Sequence, residues 1–221
     1  MKKLALLPLL VLSLHAHADE REWVPYKKLI EELRLDKYYA IPAAERDKLT
    51  MFVTIKPQNK TIKPSEVVLT VVDGDQRHPL PALSPDFRMA LTPNPKWMNG
   101  DIKILTSLPK SEKSAPGWDV TTPLPDGLQW PYAQVMGGVP QMNQAIKKMA
   151  GALSMFAPSV KVVVFKFNKP AQLKIDAKDG IKTYSTDAKL HIKLKPEASW
   201  LKENPLVIAS ERPYEAELDS E

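Results

Sequence analysis

Alternating apolar and polar positions dominate the chain and predict short β-strands. In residues 49–55 the apolar side chains of Met51, Val53 and Ile55 occupy every second position, so they would share one face of a strand. The same alternation predicts strands at residues 67–71, 77–80, 87–91, 102–106, 161–167, 172–176, 181–184, 189–194 and 206–209. Consecutive strands joined by tight turns are expected to pair antiparallel.

Two segments have helical spacing instead. A short helix is predicted over residues 25–35, with Pro25 at its first position, where the missing N–H costs nothing. A stronger helix begins at Pro140 and ends before Pro158. Its apolar stripe is more typical of a face that covers a sheet than of a docking surface, and comprises Met142, Ala145, Ile146, Met149, Leu153 and Phe156.

One segment of the chain occurs twice. Residues 87–107 read FRMALTPNPKWMNGDIKILTS, and residues 190–210 read LHIKLKPEASWLKENPLVIAS. They align without a gap, and Trp97 falls on Trp200. Each Trp follows a Pro by four residues, so each loop is expected to make a helical turn that packs its Trp against the edge of the core. Chance similarity between two amphipathic β segments is the alternative to a true repeat.

These patterns predict an α+β, β-rich fold of two tandem, homologous small domains, each with a short helix packed on a roughly five-stranded antiparallel sheet. Two small β-sandwiches with a capping helix are the alternative. The first domain would span residues 19–108 and the second residues 130–213. Residues 109–129 contain four prolines and are interpreted as a Pro-rich linker, and residues 214–221 as an acidic C-terminal tail in solvent.

The N-terminus predicts export. Lys2 and Lys3 precede an apolar run at residues 4–14, and Ala16-His17-Ala18 is a small-x-small cleavage site, so residues 1–18 read as a signal peptide. The run is too short to span a bilayer, and no other stretch approaches the length of a membrane span. The chain has no cysteine, which excludes a lipid anchor, disulfides and thiol chemistry. We expect a periplasmic protein, with secretion as the alternative.

Charge and aromatic residues suggest candidate binding positions. The formal net charge is +5 for the whole chain, and loss of Lys2 and Lys3 lowers it to +3, which together with export argues against nucleic acid as a partner. One strand would have an outward-facing row of basic residues, Lys189, His191 and Lys193. This row could bind an anionic polymer, or it could be a solvated edge that discourages aggregation between sheets. Trp118 and Trp130 are candidate binding residues near the junction of the two domains.

Catalytic signatures are not apparent. After cleavage only two histidines remain, His78 and His191, and the chain has no cysteine. These are too few of the usual ligands for a metal ion, so we predict no metal site and no cofactor. The sequence has no H-E-x-x-H motif, phosphate loop or G-x-S-x-G elbow. A catalytic triad or a pair of carboxylates assembled from distant segments cannot be read from spacing.

The resulting functional hypothesis is an exported, non-enzymatic binding or assembly protein that engages an envelope protein or an anionic polymer. A second hypothesis is a cell-envelope hydrolase acting on glycan or peptide, with its cleft between the halves near Trp118 and Trp130. A third is a structural scaffold that spaces two other proteins.

Export predicts a specific mature terminus. In a Gram-negative host the purified protein should begin at Asp19, and replacing Ala18 with a bulky residue (Ala18→Leu) should leave the full-length precursor, because the peptidase needs small residues at the cleavage site. Intact-mass measurement of both proteins distinguishes the forms. A wild-type protein that keeps Met1 after fractionation would contradict the prediction.

Overall fold

The computed structural model describes residues 20–221, and the predicted signal peptide lies outside these residues. The expected α+β, sheet-dominated class is confirmed, because short helices accompany three antiparallel sheets of four, four and six strands. No helix within residues 20–221 is both long and apolar enough to cross a membrane.

The N-terminal half contains seven strands: β1 (Arg21–Pro25), β2 (Thr50–Pro57), β3 (Leu69–Asp73), β4 (Gln76–Pro79), β5 (Arg88–Met89), β6 (Lys103–Thr106) and β7 (Ser114–Thr121). Its helices are α1 (Tyr26–Glu32) and α2 (Leu35–Ala40), with single 3-10 turns at Ala43–Glu45, Pro64–Glu66 and Pro95–Met98.

The C-terminal half repeats this plan. Its strands are β8 (Gln129–Pro131), β9 (Val162–Lys166), β10 (Gln172–Ala177), β11 (Gly180–Ser185), β12 (His191–Leu194), β13 (Leu206–Ala209) and β14 (Glu215–Asp219). Its helices are α3 (Tyr132–Met136), α4 (Gly138–Ala150) and α5 (Ala198–Glu203), and a 3-10 segment, Gly151–Phe156, follows α4.

The sheets show the same repeat in three dimensions. The N-terminal sheet has the order β1-β6-β3-β4, and the C-terminal sheet has the equivalent order β8-β13-β10-β11. The six-stranded sheet has the order β5-β2-β7-β14-β9-β12, so three strands of each half meet at its centre in mirrored order. Each half therefore divides its strands between a sheet of its own and a sheet that both halves share.

The shared sheet corrects the expectation that each half folds separately around its own interior. Strand β14 pairs with β9 over five positions and meets β7 of the other half at Glu217 and Thr121. Next to that pair, the N–H of Thr122 donates to the carbonyl of Ala216 at 2.8 Å. Buried apolar side chains of both halves also belong to one continuous core cluster.

Strand β7 corrects the interpretation of residues 109–129 as a linker. It pairs with β2 along eight positions, including Pro116 opposite Ile55. The N–H of Ile55 donates away from β7, to the carbonyl of Phe87 at 3.0 Å, so Ile55 and Pro116 form a pair without mutual hydrogen bonds. The missing N–H of Pro116 is therefore not needed by β2, and proline is tolerated in this strand.

Strand β14 likewise corrects the interpretation of residues 214–221 as a solvated tail. Ala216 is 1% exposed and Leu218 is 8% exposed, whereas the acidic residues that alternate with them, Glu215, Glu217 and Asp219, point to the other face of the sheet. The segment is interpreted as a tail because of its net negative charge, but its polar and apolar positions alternate, which predicts a strand.

The repeated tryptophans are structural, as predicted. Trp97 packs edge-on against Tyr26 with ring centroids 5.2 Å apart, and Trp200 packs edge-on against Tyr132 at 5.5 Å. In both copies the backbone N–H three residues before the Trp donates to the Tyr hydroxyl, at 2.8 and 3.0 Å. Burial raises the pKa of Tyr132 to about 12, so its hydroxyl stays protonated above pH 10, where an exposed tyrosine ionises.

The apolar stripe of α4 is buried only along part of its predicted length. Met142, Ala145, Ile146 and Met149 are buried, as expected for a face that packs on the core. Leu153 and Phe156 are not: they are 63% and 81% exposed. The α-helix ends at Ala150. The next residue, Gly151, has a φ of +56° that breaks the helical spacing, and the 3-10 segment that begins there turns these side chains outward.

The central position of β14 predicts that the C-terminus is essential for folding. Removing residues 214–221 exposes the buried edges of β7 and β9 and should abolish cooperative unfolding in a denaturant titration. As a control, removing only Ser220 and Glu221 should change the free energy of unfolding by less than about 0.5 kcal/mol. A cooperative transition of unchanged midpoint in the longer truncation would show that the strand is dispensable.

Candidate functional site

The shared sheet has one apolar face and one charged face. Along β2 and β9 the residues Met51, Val53, Val163 and Phe165 are buried in the core. The alternate positions face the other way. Together with those of the neighbouring strands they carry His191 and most of the charged side chains of the sheet: Lys56, Arg88, Asp119, Lys166, Glu215, Glu217 and Lys193.

Arg88 extends from the edge strand β5 over the charged face and is 8% exposed. Its Nε lies 2.8 Å from Oδ2 of Asp119, and its Nη2 lies 3.5 Å from Oε1 of Glu217. Its Nη1 contacts Glu215, which also lies 2.7 Å from Nζ of Lys166. This Arg88 cluster connects β5 and β7 of the N-terminal half to β9 and β14 of the C-terminal half.

The cluster keeps both of its central cations charged. Burial acts to lower the pKa of Arg88 and of Lys166, but the adjacent carboxylates outweigh it and raise both pKa values above their ordinary range. Because the Lys166 pKa is raised above 10.5, its contribution to stability is complete at neutral pH and is lost only as the pH rises through the folded-state value. The arrangement is that of a structural ion-pair network.

The predicted row of basic residues lies beside this cluster. Lys189, His191 and Lys193 line one cavity of about 420 Å³ at the edge strand β12. The same cavity is also lined by Asp187, Glu217 and Asp219, so its charge is nearly balanced rather than basic. Sequence reasoning missed these acids because two of them come from β14, across the sheet.

The turn that leads into this cavity is duplicated. Residues 84–88 and 187–191 form the same tight turn, with Phe87 at φ +60° and Leu190 at φ +62°. The side chain of Asp187 accepts the N–H groups of Lys189 and His191, both at 2.8 Å, and these bonds, His191 first, lower the pKa of Asp187. Its carboxylate is therefore committed to the backbone.

A second concave region lies between the two halves and is apolar. This groove has a volume of about 350 Å³. Arg34 and Trp118 line it from the N-terminal half, and α4 with its 3-10 extension lines it from the C-terminal half, through Ile146, Met149, Ala150, Leu153, Phe156, Ala157 and Pro158. We call this region the apolar groove.

Beside the groove, the 3-10 extension exposes large apolar side chains. Leu153 is 63% exposed, Met155 is 80% exposed and Phe156 is 81% exposed. Single exposed apolar residues are ordinary, but three within four positions, contiguous with an apolar concavity, are typical of a binding surface.

The structure separates the candidate tryptophans. Trp118 lines the apolar groove, as the hypothesis of a cleft between the halves requires. Trp130 is 2% exposed and stacks on Phe165 with ring centroids 6.3 Å apart, so it belongs to the core and is closed to a ligand from solvent. Leu153, Met155 and Phe156 were missed as surface residues, and the signal that could have revealed them is Gly151, which interrupts the helical stripe.

Neither a cluster of metal-ligating side chains nor a known relative identifies a function for the described residues. Within residues 20–221 no three His, Asp or Glu side chains are grouped closely enough to hold a metal ion. No protein-family model matches the chain, and comparison with curated proteins and with solved structures finds no significant match. Function is therefore inferred from the geometry of the site.

Loss of Arg88 should be costly. Arg88→Ala leaves Asp119, Glu215 and Glu217 without their buried partner, and we expect the free energy of unfolding to fall by about 3 kcal/mol at pH 7. Lys56→Ala is the control, because Lys56 also pairs with Asp119 but is 54% exposed, and its loss should cost less than about 1 kcal/mol. Equal denaturant midpoints for the two variants would contradict a structural role of the Arg88 cluster.

Proposed function

We propose that the protein is an exported binding protein of the periplasm that holds an apolar group of its ligand in the groove between Trp118 and α4. The export part of this proposal is supported by the N-terminal sequence, and the binding part by the geometry of the groove. The single observation that carries it is the continuity of the groove with the exposed side chains of Leu153, Met155 and Phe156.

The size and lining of the groove support binding of a ligand. Its volume of about 350 Å³ lies at the lower end of the range of roughly 300–1,000 Å³ that small-molecule sites occupy. The buried side chains of Ile146 and Met149 provide a floor held in place by the core, and Trp118 provides a large flat surface. Such a site offers affinity through removal of apolar surface from water.

The charged face supports the hydrolase hypothesis less well. A general acid needs a carboxyl group whose pKa is raised. Hydrogen bonds act in the opposite direction on Asp47 and Asp187 and lower the pKa of both carboxyl groups. The carboxylates of Glu215 and Glu217 are paired with Arg88 and Lys166.

Binding of an apolar group is tested with the neutral dye N-phenyl-1-naphthylamine. Its fluorescence should rise saturably with one equivalent of protein. Phe156→Ser removes one wall of the groove and should weaken dye binding by at least about fivefold, as expected for loss of a major apolar contact. Because Phe156 is 81% exposed, circular dichroism and the denaturation midpoint should remain those of the wild type.

Ile181→Ser is the matched control. Ile181 is 66% exposed on the edge strand β11 and does not line the groove, so its replacement should leave dye affinity unchanged. Absence of saturable binding to the wild type, or equal affinity of the wild type and Phe156→Ser, would overturn the proposed function.

A further inference from the structure

Arg34 is the charged residue of the apolar groove. Among the residues of the described chain that line the groove, it alone carries a formal charge, and its side chain is exposed at the rim. A ligand in the groove would therefore meet an apolar surface and, at the rim, a positive charge.

Arg34 also lines a second cavity, of about 480 Å³, together with three acids, and each of these acids is paired with another cation. Glu31 lies 3.8 Å from Nζ of Lys27, and Glu32 lies 3.7 Å from Nζ of Lys28. Asp36 lies 3.6 Å from Nζ of Lys37. Within residues 20–221 the guanidinium of Arg34 has neither an ion pair nor a side-chain hydrogen bond, so its five N–H donors are available to a ligand.

The backbone at Arg34 is unusual. With φ +56° and ψ +25° it adopts the left-handed conformation in the two-residue connection between α1 and α2. Glycine or asparagine is favoured in this conformation, because a Cβ atom raises its energy. Phe87, Leu190 and Asn204 adopt it as well, so the conformation fixes the course of the backbone at Arg34 and does not by itself assign a role to its side chain.

The dimensions of the site favour a small molecule over a protein partner. A stable protein interface buries about 800 Å² on each partner, whereas the exposed apolar surface here consists chiefly of Leu153, Met155 and Phe156. A groove of about 350 Å³ with apolar walls matches a single alkyl chain better than a folded surface.

We infer that the groove binds a single-chain anionic amphiphile of the fatty-carboxylate type. Its alkyl chain lies between Trp118 and the end of α4, and its carboxylate accepts paired N–H donors from Arg34, a geometry that guanidinium groups favour. This inference rests on the proposed function and specifies the ligand class of the same site.

The test measures displacement of N-phenyl-1-naphthylamine at pH 8 and 150 mM salt, with all amphiphiles kept below their micelle concentrations. Dodecanoate should bind about two- to fivefold more tightly than 1-dodecanol, since the rim is exposed and an ion pair there is weak. Dodecylammonium should bind more weakly than either. From octanoate to decanoate, affinity should rise about fourfold for each added methylene.

Arg34→Gln should bind dodecanoate and 1-dodecanol equally, with the affinity of each amphiphile calculated from the dye affinity measured for the same variant. Lys147→Gln is the matched control. It removes one positive charge from the exposed face of α4, beside the groove but outside its lining, so this variant should keep the preference for dodecanoate.

The outcomes separate the two proposals. If the dye binds but dodecanoate and dodecanol bind equally to the wild type, or dodecylammonium binds best, the anionic ligand class is wrong and the apolar binding function stands. If the dye binds and no amphiphile displaces it, the anionic ligand class is also wrong and the apolar binding function stands, with a protein as the partner. If neither dye nor amphiphile binds, the proposed function itself is wrong.

Discussion

The pairing of β14 with β9 and β7 is the interaction on which the remaining structure depends. It inserts the last strand of the chain between the two halves and turns two three-stranded groups into one six-stranded sheet. The Arg88 cluster secures this junction on its charged face, and the buried side chains of Ala216 and Leu218 secure it on the apolar face. The groove is formed by residues of both halves, so the candidate site exists only because the halves are joined.

The two halves share their structural motifs and differ in their surfaces. Both contain the edge-on Tyr–Trp pair and the tight turn with a left-handed residue. Each of these motifs provides hydrogen bonds to polar groups that the fold buries. At equivalent positions of the turn, however, Arg88 is enclosed by carboxylates, whereas His191 lines an open cavity. The 3-10 turn after α2, Ala43–Glu45, is also exposed but has no large apolar side chain, whereas the 3-10 segment after α4 exposes Leu153, Met155 and Phe156, and it is there that the apolar groove forms.

Local patterns predicted much of the fold and some of the site. The strands around Val53 and Ile192 follow from period-two alternation, and the structural role of Trp97 and Trp200 follows from their repeated spacing. Prolines concealed β7, because a linker and a strand whose proline faces away from its partner look alike in sequence. Acidity concealed β14, because its counter-ions Arg88 and Lys166 are distant along the chain. Trp130 was assigned to a surface for a similar reason: exposure of a lone aromatic residue depends on what packs over it.

The sequence by itself determined the class of the fold, the positions of most strands and the repeat, because periodicity, turn chemistry and helix-ending residues act over a few positions. It also determined the apolar character of the segment around Leu153 and Phe156. Only the tertiary structure decided that β7 and β14 meet in one sheet, that the acids of the C-terminus neutralise a buried arginine, and that Trp118, Arg34 and the end of α4 face one groove. These features are contacts between residues far apart in the chain, and such contacts are set by the packing of the whole core rather than by any local pattern.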